Sequence, residues 1–387
     1  MIMNAAEKIN AKFTTLINSL YSGVYGRLLW LCRFILKPKK WTVHKSYYPE
    51  LKAKSRRKIY IEQLGQILKY GTPNEFYFSY GFDVKSQDSM KEYYHYTPFS
   101  VLRDKYNTAL SSIDSSLPIL RNKFYFGIFC EYFGIKSAET VGVLYGKDNG
   151  SVYSTGDKIH MSLAEFCNNN LGKFFVKPFD GECGKGIFTM ELKDGHIEVD
   201  KEEVSIHALR EMCKGGTYLV QRLVRQHPEM SKLHPQSLNT IRLVTVKNIH
   251  TGDIAVLPSI LRIGTGDAIV DNTSQGGVAV GIDFENNRLK QYGFMKPQFG
   301  GRVDIHPDSK IRFEEFTIPY LEQAVAQAKF LHSHLPDLHS IGWDIAIGED
   351  GPIFIEGNDN WEINGPQICN GGLKNQYQEM LIGTNLN

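Results

Sequence analysis

The stretch Ile341–Asn358, IGWDIAIGEDGPIFIEGN, restricts the fold more than any other part of the chain. Ile341, Trp343, Ile345 and Ile347 alternate with Gly342, Asp344 and Ala346, the period-two pattern of a strand with one apolar face. Glu349-Asp350-Gly351 reads as a three-residue hairpin loop, with glycine at its left-handed position. The return strand then covers Pro352–Asn358. In that register Asp344 faces Glu356, and Asn358 follows two positions on. Opposed carboxylates about 5 Å apart repel by roughly 3 kcal/mol at an effective dielectric near 20. The pair therefore calls for a compensating cation. Two acids and one amide are oxygen-only donors, suited to Mg²⁺ or Mn²⁺ rather than zinc. Solvation on an exposed face is the alternative, and the apolar residues around the acids argue against it.

The chain has 387 residues, enough for a large core and more than one lobe. Its net charge of +2, without a basic recognition motif, gives no reason to expect a nucleic-acid partner. Six cysteines (Cys32, Cys130, Cys167, Cys183, Cys213 and Cys369) lack CxxC spacing, which predicts free thiols in a reducing compartment. No cleavable signal pattern is present, and the apolar run Leu28–Cys32 is too short to span a bilayer, so a cytoplasmic location is expected.

Basic residues crowd the N-terminal part, from Arg33 through Lys58. The stretch Phe13–Trp41 has two readings. One is an ordinary helix packed on the body, favoured because Gly23 and Gly26 interrupt an amphipathic run. The other is peripheral contact at the inner face of a membrane, with Leu16, Leu20, Leu28, Trp30, Phe34 and Ile35 down and the basic residues at headgroups.

Residues 1–110 read as a mainly helical extension, and residues 111–387 as an alternating α and β region. The latter divides into an N-lobe with a glycine-rich flap (about 117–224) and a C-terminal lobe with the hairpin (about 225–372). Helices are expected over Asn122–Phe133, Ser162–Asn168 and Glu314–Leu335, and strands over Phe174–Lys177, Leu238–Val246 and Ile254–Ile263. Arg225–Ser237, with His227 and His234, lacks the cysteines of a zinc site and reads as a mobile substrate loop.

Lys177-Pro178-Phe179-Asp180-Gly181-Glu182-Cys183-Gly184-Lys185-Gly186 follows the strand that carries Lys177. Glycines permit the positive-φ turns that aim successive N–H groups at an anion, and Lys177 adds a fixed charge beside them. Neither the GxxxxGK[ST] spacing nor the dinucleotide fingerprint is present, since Ile187–Leu192 alternates like a strand. A flap over phosphates and a structural turn both fit this segment alone.

Taken in order, these parts resemble the ATP-grasp enzymes, and most closely the sugar-transfer-associated branch found among bacterial polysaccharide-synthesis proteins. The resemblance covers about Leu117–Gly372 and rests on Asn122-Lys123, FFVKPFDGECGKGIF, YLVQRLV, HPQSLNTIRLVTV, ILRIG, DNTSQGG, His306-Pro307-Asp308 and GWDIAIGEDGPIFIEGN. It implies an α+β fold whose two α/β lobes clasp ATP between antiparallel sheets, behind a helical N-terminal extension. It further implies that Lys123 and Lys177 contact phosphates beneath the flap of Gly181, Gly184, Lys185 and Gly186. Gln221, Arg222 and Val224 would form the adenine hinge, although Gln221 stands where many relatives of the wider superfamily have an acid. Arg242 and Arg262 would address the transferring phosphate, and Asp344, Glu356 and Asn358 the divalent ions. Asn272, Gly276 and Gly277 would shape the acceptor side.

A phosphoryl transfer needs cations around developing charge and little else, and guanidinium groups bind phosphate oxygens bidentately. The expected activity is an ATP- and Mg²⁺-dependent carboxylate–amine ligation through an acyl phosphate, on a small carboxylate or sugar acid, in polysaccharide or cell-envelope synthesis. A small-molecule kinase on the same scaffold, and a non-catalytic ATP-binding partner of a glycosyltransferase, are the rival classes.

Overall fold

The structure, a computed structural model, describes residues 24–86, 88–108, 116–147, 150–179, 186–193 and 195–383. Two compact units are present. The first gathers the chain up to Leu102 with Phe294–Val303 and Glu362–Asn375; the second holds Arg103–Gly293, Asp304–Trp361 and the residues from Gln376 on.

In the first unit, the helix Arg56–Tyr70 starts where Ser55 accepts a bond from the Lys58 N–H (3.3 Å) and stops at Gly71, whose φ is +89°. Tyr77, Phe78, Tyr80, Phe82 and Tyr93 pack together with Ile59, so the tyrosine-rich stretch supplies a core. The Tyr80 phenol is satisfied inside that unit: its Oη donates to Asn364 Oδ1 (2.9 Å) and accepts from Gln367 Nε2 (3.0 Å). Residues 24–36 are helical straight through Gly26, contrary to the expected interruption. Trp30 and Phe34 pack inward while Leu28 and Ile35 lie open, so the four do not share the face assigned from sequence.

The second unit is built on two antiparallel sheets. One runs Ile159–Ser162, Ser151–Ser154, Thr140–Tyr145, Thr217–Arg222, Gly172–Pro178, Phe188–Lys193, His196–Val199, Glu202–Glu203. Its core joins Phe174, Val176, Met190 and Val220 to Phe166 of the helix Leu163–Asn169, which Ser162 caps through the Glu165 N–H (3.2 Å). The other runs Arg288–Phe294, Val278–Asp283, Ile254–Ile263, Thr240–Lys247, Ser340–Gly348, Gly351–Asn358.

The helix Leu321–Ser333 packs on this second sheet through Ala324, Ala328 and Leu331. It starts seven residues later than expected, because Phe313–Glu315 forms a separate 3₁₀ turn and Pro319-Tyr320 intervenes, with Tyr320 at φ +53°. Buried His332 bridges Thr245 Oγ1 (2.7 Å) and the Leu338 carbonyl (2.9 Å) on this side. Alternation along Thr240–Lys247 and Ser340–Gly348 then leaves Thr240, Arg242 and Asp344 on the opposite face.

Candidate active site

The hairpin reaches the expected pairing by an unexpected route. Gly348 pairs with Gly351, so the turn is two residues, Glu349-Asp350, instead of three. Left uncorrected, that register would pair Asp344 with Ile355 and send Glu356 to the other face. A bulge between the Ile345–Phe354 and Asp344–Glu356 pairs absorbs Ile355 and sets the two carboxylates opposite each other. Asn358 donates to Gly342 O and Glu356 Oε1 (3.3 Å each), which joins the third expected donor to the pair.

The requirement for a cation is met differently from the sequence argument. Arg242, directly across from Asp344 on the neighbouring strand, grips it with two bonds: Nε to Oδ1, and Nη2 to Oδ2 at 2.9 Å. Arg262 Nη2 reaches the same Oδ2 at 2.8 Å. Protein guanidinium groups therefore neutralise Asp344, and carboxylate repulsion alone does not demand a metal. A second bulge makes this possible: Pro258-Ser259 shift the register between Leu257 and Ile260, which places Arg262 opposite Thr240. Ser259 fastens the bulge by accepting from the Val244 N–H (3.0 Å) and donating to the Leu257 carbonyl (2.6 Å). Burial opposes ionisation of Asp344, but Arg242 and Arg262 overcome it and hold the carboxyl at about 2.

Asp271 is the member that sequence reasoning missed. It accepts from the Thr240 N–H (2.9 Å) and hydroxyl, and it lies 3.6 Å from Arg262 Nε. Burial raises its pKa against the pull of Arg262. Its position directly before Asn272 in DNTSQGG was the available signal, because a buried arginine on a central strand needs acids around it.

From the other sheet, Lys177 projects from Gly172–Pro178 and is only 6% exposed. Burial pushes its amine down to about 8, with Glu356 favouring the charge and Lys123 opposing it. Glu356 and Lys123 thus both act on the Lys177 charge, although the three come from two sheets and a helix. Lys123 opens the helix Lys123–Tyr132, where Asn122 accepts from the N–H groups of Phe124 and Tyr125 (3.0 and 3.2 Å). Gly181, Gly184 and Lys185 fall outside the described residues; Gly186 has φ +69°.

At the expected hinge, Gln221 is buried and donates to Ala138 O (3.2 Å) and Thr140 Oγ1 (3.0 Å). The N–H groups of Arg222 and Leu223 are spent on Glu139 O and Lys173 O (2.9 and 3.1 Å), and the Arg222 side chain pairs with Glu139. Val224 follows, half-buried, where the strand ends. Asn272 caps the turn Thr273–Gln275, and Gly276 at φ +103° ends it. Gly277 is obligatory for packing: a Cβ there would stand 2.5 Å from Asp271 O.

The segment Arg225–Ser237, expected as a mobile loop, is instead ordered around the helix Pro228–Leu233 with Met230 and Leu233 fully buried. His234 bridges Ser237 Oγ (2.8 Å) and Gly266 O (2.9 Å), while His306 holds Gly264 O (2.9 Å), so both histidines brace the end of the Arg262 strand.

The donor set fits a hard divalent ion. Two carboxylates and an amide gather in one corner, oxygen donors of the kind such an ion takes, while among the described residues no group of three or more His, Cys, Asp or Glu side chains could hold a metal ion. The described cysteines are free, and Cys130, Cys167 and Cys213 are buried with thiols pushed up to about 11 or 12.

A sheet presenting buried lysine beside a sheet presenting arginines and paired carboxylates makes this an ATP-grasp protein. Within that class, the chain belongs to the sugar-transfer associated ATP-grasp family, whose model matches residues 101–380. No curated protein matches its sequence significantly. Among solved structures it is similar to D-alanine–D-alanine ligase from Helicobacter pylori, at 13% identity, covering 68% of this chain and 57% of that one, with a TM-score of 0.36. It is also similar to L-amino acid ligase from Bacillus licheniformis (10% identity, 66% and 43% covered, TM-score 0.33). An ADP complex of N5-carboxyaminoimidazole ribonucleotide synthetase gives 13% identity, 62% and 45% covered, and a TM-score of 0.34. The chain spans less than half the length of the latter two.

Proposed function

We propose that this protein is an ATP- and Mg²⁺-dependent ligase that joins a small carboxylate, such as a sugar acid, to an amine in bacterial polysaccharide or cell-envelope synthesis. The observation that carries the proposal is the convergence of Lys123, Lys177, Arg242 and Arg262 on Asp344 and Glu356 within one unit. Four cations against three carboxylates, Asp271 included, leave a site near neutrality that gains from a polyanion arriving with a divalent ion.

In this reading Asp344, Glu356 and Asn358 hold Mg²⁺, which supplies charge neutralisation on the triphosphate. Lys123 and Lys177 bind phosphate oxygens, and Gly181, Gly184, Lys185 and Gly186 cover them. Carbonyls of Gln221 and Arg222, with Val224, meet the adenine. A substrate carboxylate oxygen attacks the γ-phosphorus and ADP leaves. The amine then attacks the acyl carbon, the C–O bond to phosphate breaks, and the amine proton departs with phosphate. Arg242 and Arg262 steady the charge that develops on the transferring group, and the loop Asn272–Gly277 borders the acceptor. No covalent enzyme nucleophile is needed.

Screening uronic acids with amino acids, with Mg²⁺ present, tests the proposal: ADP and free phosphate should appear together only when both substrates are supplied. ADP without phosphate, with one substrate phosphorylated, would establish the kinase instead. No nucleotide binding at all would favour neither enzyme.

A further inference from the structure

We propose that the open face of the helix over residues 24–36 docks on an anionic lipid bilayer. This helix is apolar on two sides. One side, Trp30, Leu31 and Phe34, packs against Trp41, Tyr60, Leu64 and Ile67, and Phe34 is fully buried there. The other side carries Val24, Leu28, Leu29, Ile35 and Leu36, all exposed, with Leu36 at 78%. Their spacing sets them on successive turns of one stripe, with exposed Cys32 between. An ordinary surface helix turns polar residues to water, so this second apolar side calls for a cover.

Charge identifies the cover. Exposed Arg33, Lys37, Lys39 and Lys40 flank the stripe, and residues 24–60 hold eleven basic side chains with Glu50 as their one acid. A second copy of the chain would set this basic field against itself. An anionic bilayer offers both counterparts: acyl chains for the apolar stripe and headgroups for lysines whose stems snorkel outward. Arg33 lies over Trp30 (5.4 Å) and Lys40 over Trp41 (5.1 Å), so two of these cations are held against indoles of the inward-packed side. Among the described residues no helix is long and apolar enough to cross a membrane.

Flotation of the full chain with vesicles tests this. Binding is expected to phosphatidylcholine–phosphatidylglycerol vesicles and to weaken with salt, and not to occur with phosphatidylcholine alone. Leu28→Glu with Leu36→Glu should abolish it. Lys37→Gln, Lys39→Gln and Lys40→Gln together should weaken it roughly a hundredfold, at about fivefold per lysine. Both variants alter exposed positions and should keep the wild-type melting temperature. Failure to bind anionic vesicles, or binding unchanged in the Glu variant, overturns the proposal. So does a lowered melting temperature in that variant, which would mean residues 1–23 cover the stripe, or a dimer that the variant dissociates.

Discussion

Asp344→Asn tests the electrostatic centre most directly. The substitution keeps the shape of the side chain and removes the charge that two buried guanidinium groups share. A carboxyl held at about 2 instead of 3.8 corresponds to roughly 2–3 kcal/mol of stability carried by the ionised form. The sign follows from the lowered folded-state value: this contribution is complete above about pH 4 and is lost as pH falls through about 2. The substitution would also leave Arg242 facing a neutral amide, and breaking a buried pair costs roughly 3–5 kcal/mol. Asp271 remains 3.6 Å from Arg262, so a loss near the lower end, about 3 kcal/mol at pH 7, is expected. Urea unfolding followed by fluorescence reports on it, since Trp343 and Trp361 are buried in the same unit. Removing the orphaned cation in Arg242→Met/Asp344→Asn should recover part of the loss, giving a coupling of roughly 2 kcal/mol in a double-mutant cycle. Additive effects, or an Asp344→Asn variant within about 0.5 kcal/mol of wild type, would refute the account of a shared carboxylate.

Three further outcomes are expected. Lys177→Met should weaken ADP binding roughly 10–100-fold by calorimetry, the worth of a charged hydrogen bond, without lowering stability at pH 7, because it removes a buried cation. With its pKa near 8, Lys177 is about half neutral at pH 8, and bound phosphate should recharge it. Nucleotide binding measured in buffers of different ionisation enthalpy should therefore show proton uptake at pH 8 and almost none at pH 6; zero uptake at pH 8 would exclude this lysine from phosphate contact. Gly277→Ala must displace the Asp271 carbonyl and should lower stability by about 1–3 kcal/mol, visible as a reduced urea midpoint.

Much of the second unit was legible because its signals are local. Alternation marked the strands, Asn122 and Ser162 marked two helix starts, and the order of motifs marked the family. The helix Leu321–Ser333 was placed too early because the apolar spacing around it carries no record of Tyr320 turning left-handed. Arg225–Ser237 looked like a loop because its prolines and histidines are polar punctuation in sequence, whereas His234 and Met230 find partners only in the folded chain. The two faces of the helix over 24–36 were mixed for a related reason: apolar residues all round it give no periodic contrast to read.

The chain's own order of residues determined which chemistry was available: lysine after a strand, arginine within strands, and an acid, an acid and an amide along a ribbon. Which of those groups would meet was decided in three dimensions. Side chains alternate with period two, so an odd residue absorbed at Ile355 or at Pro258-Ser259 reverses every face beyond it. The two guanidinium groups reach Asp344 from strands that lie about a hundred residues and eighty residues back along the chain, and only sheet order makes them neighbours.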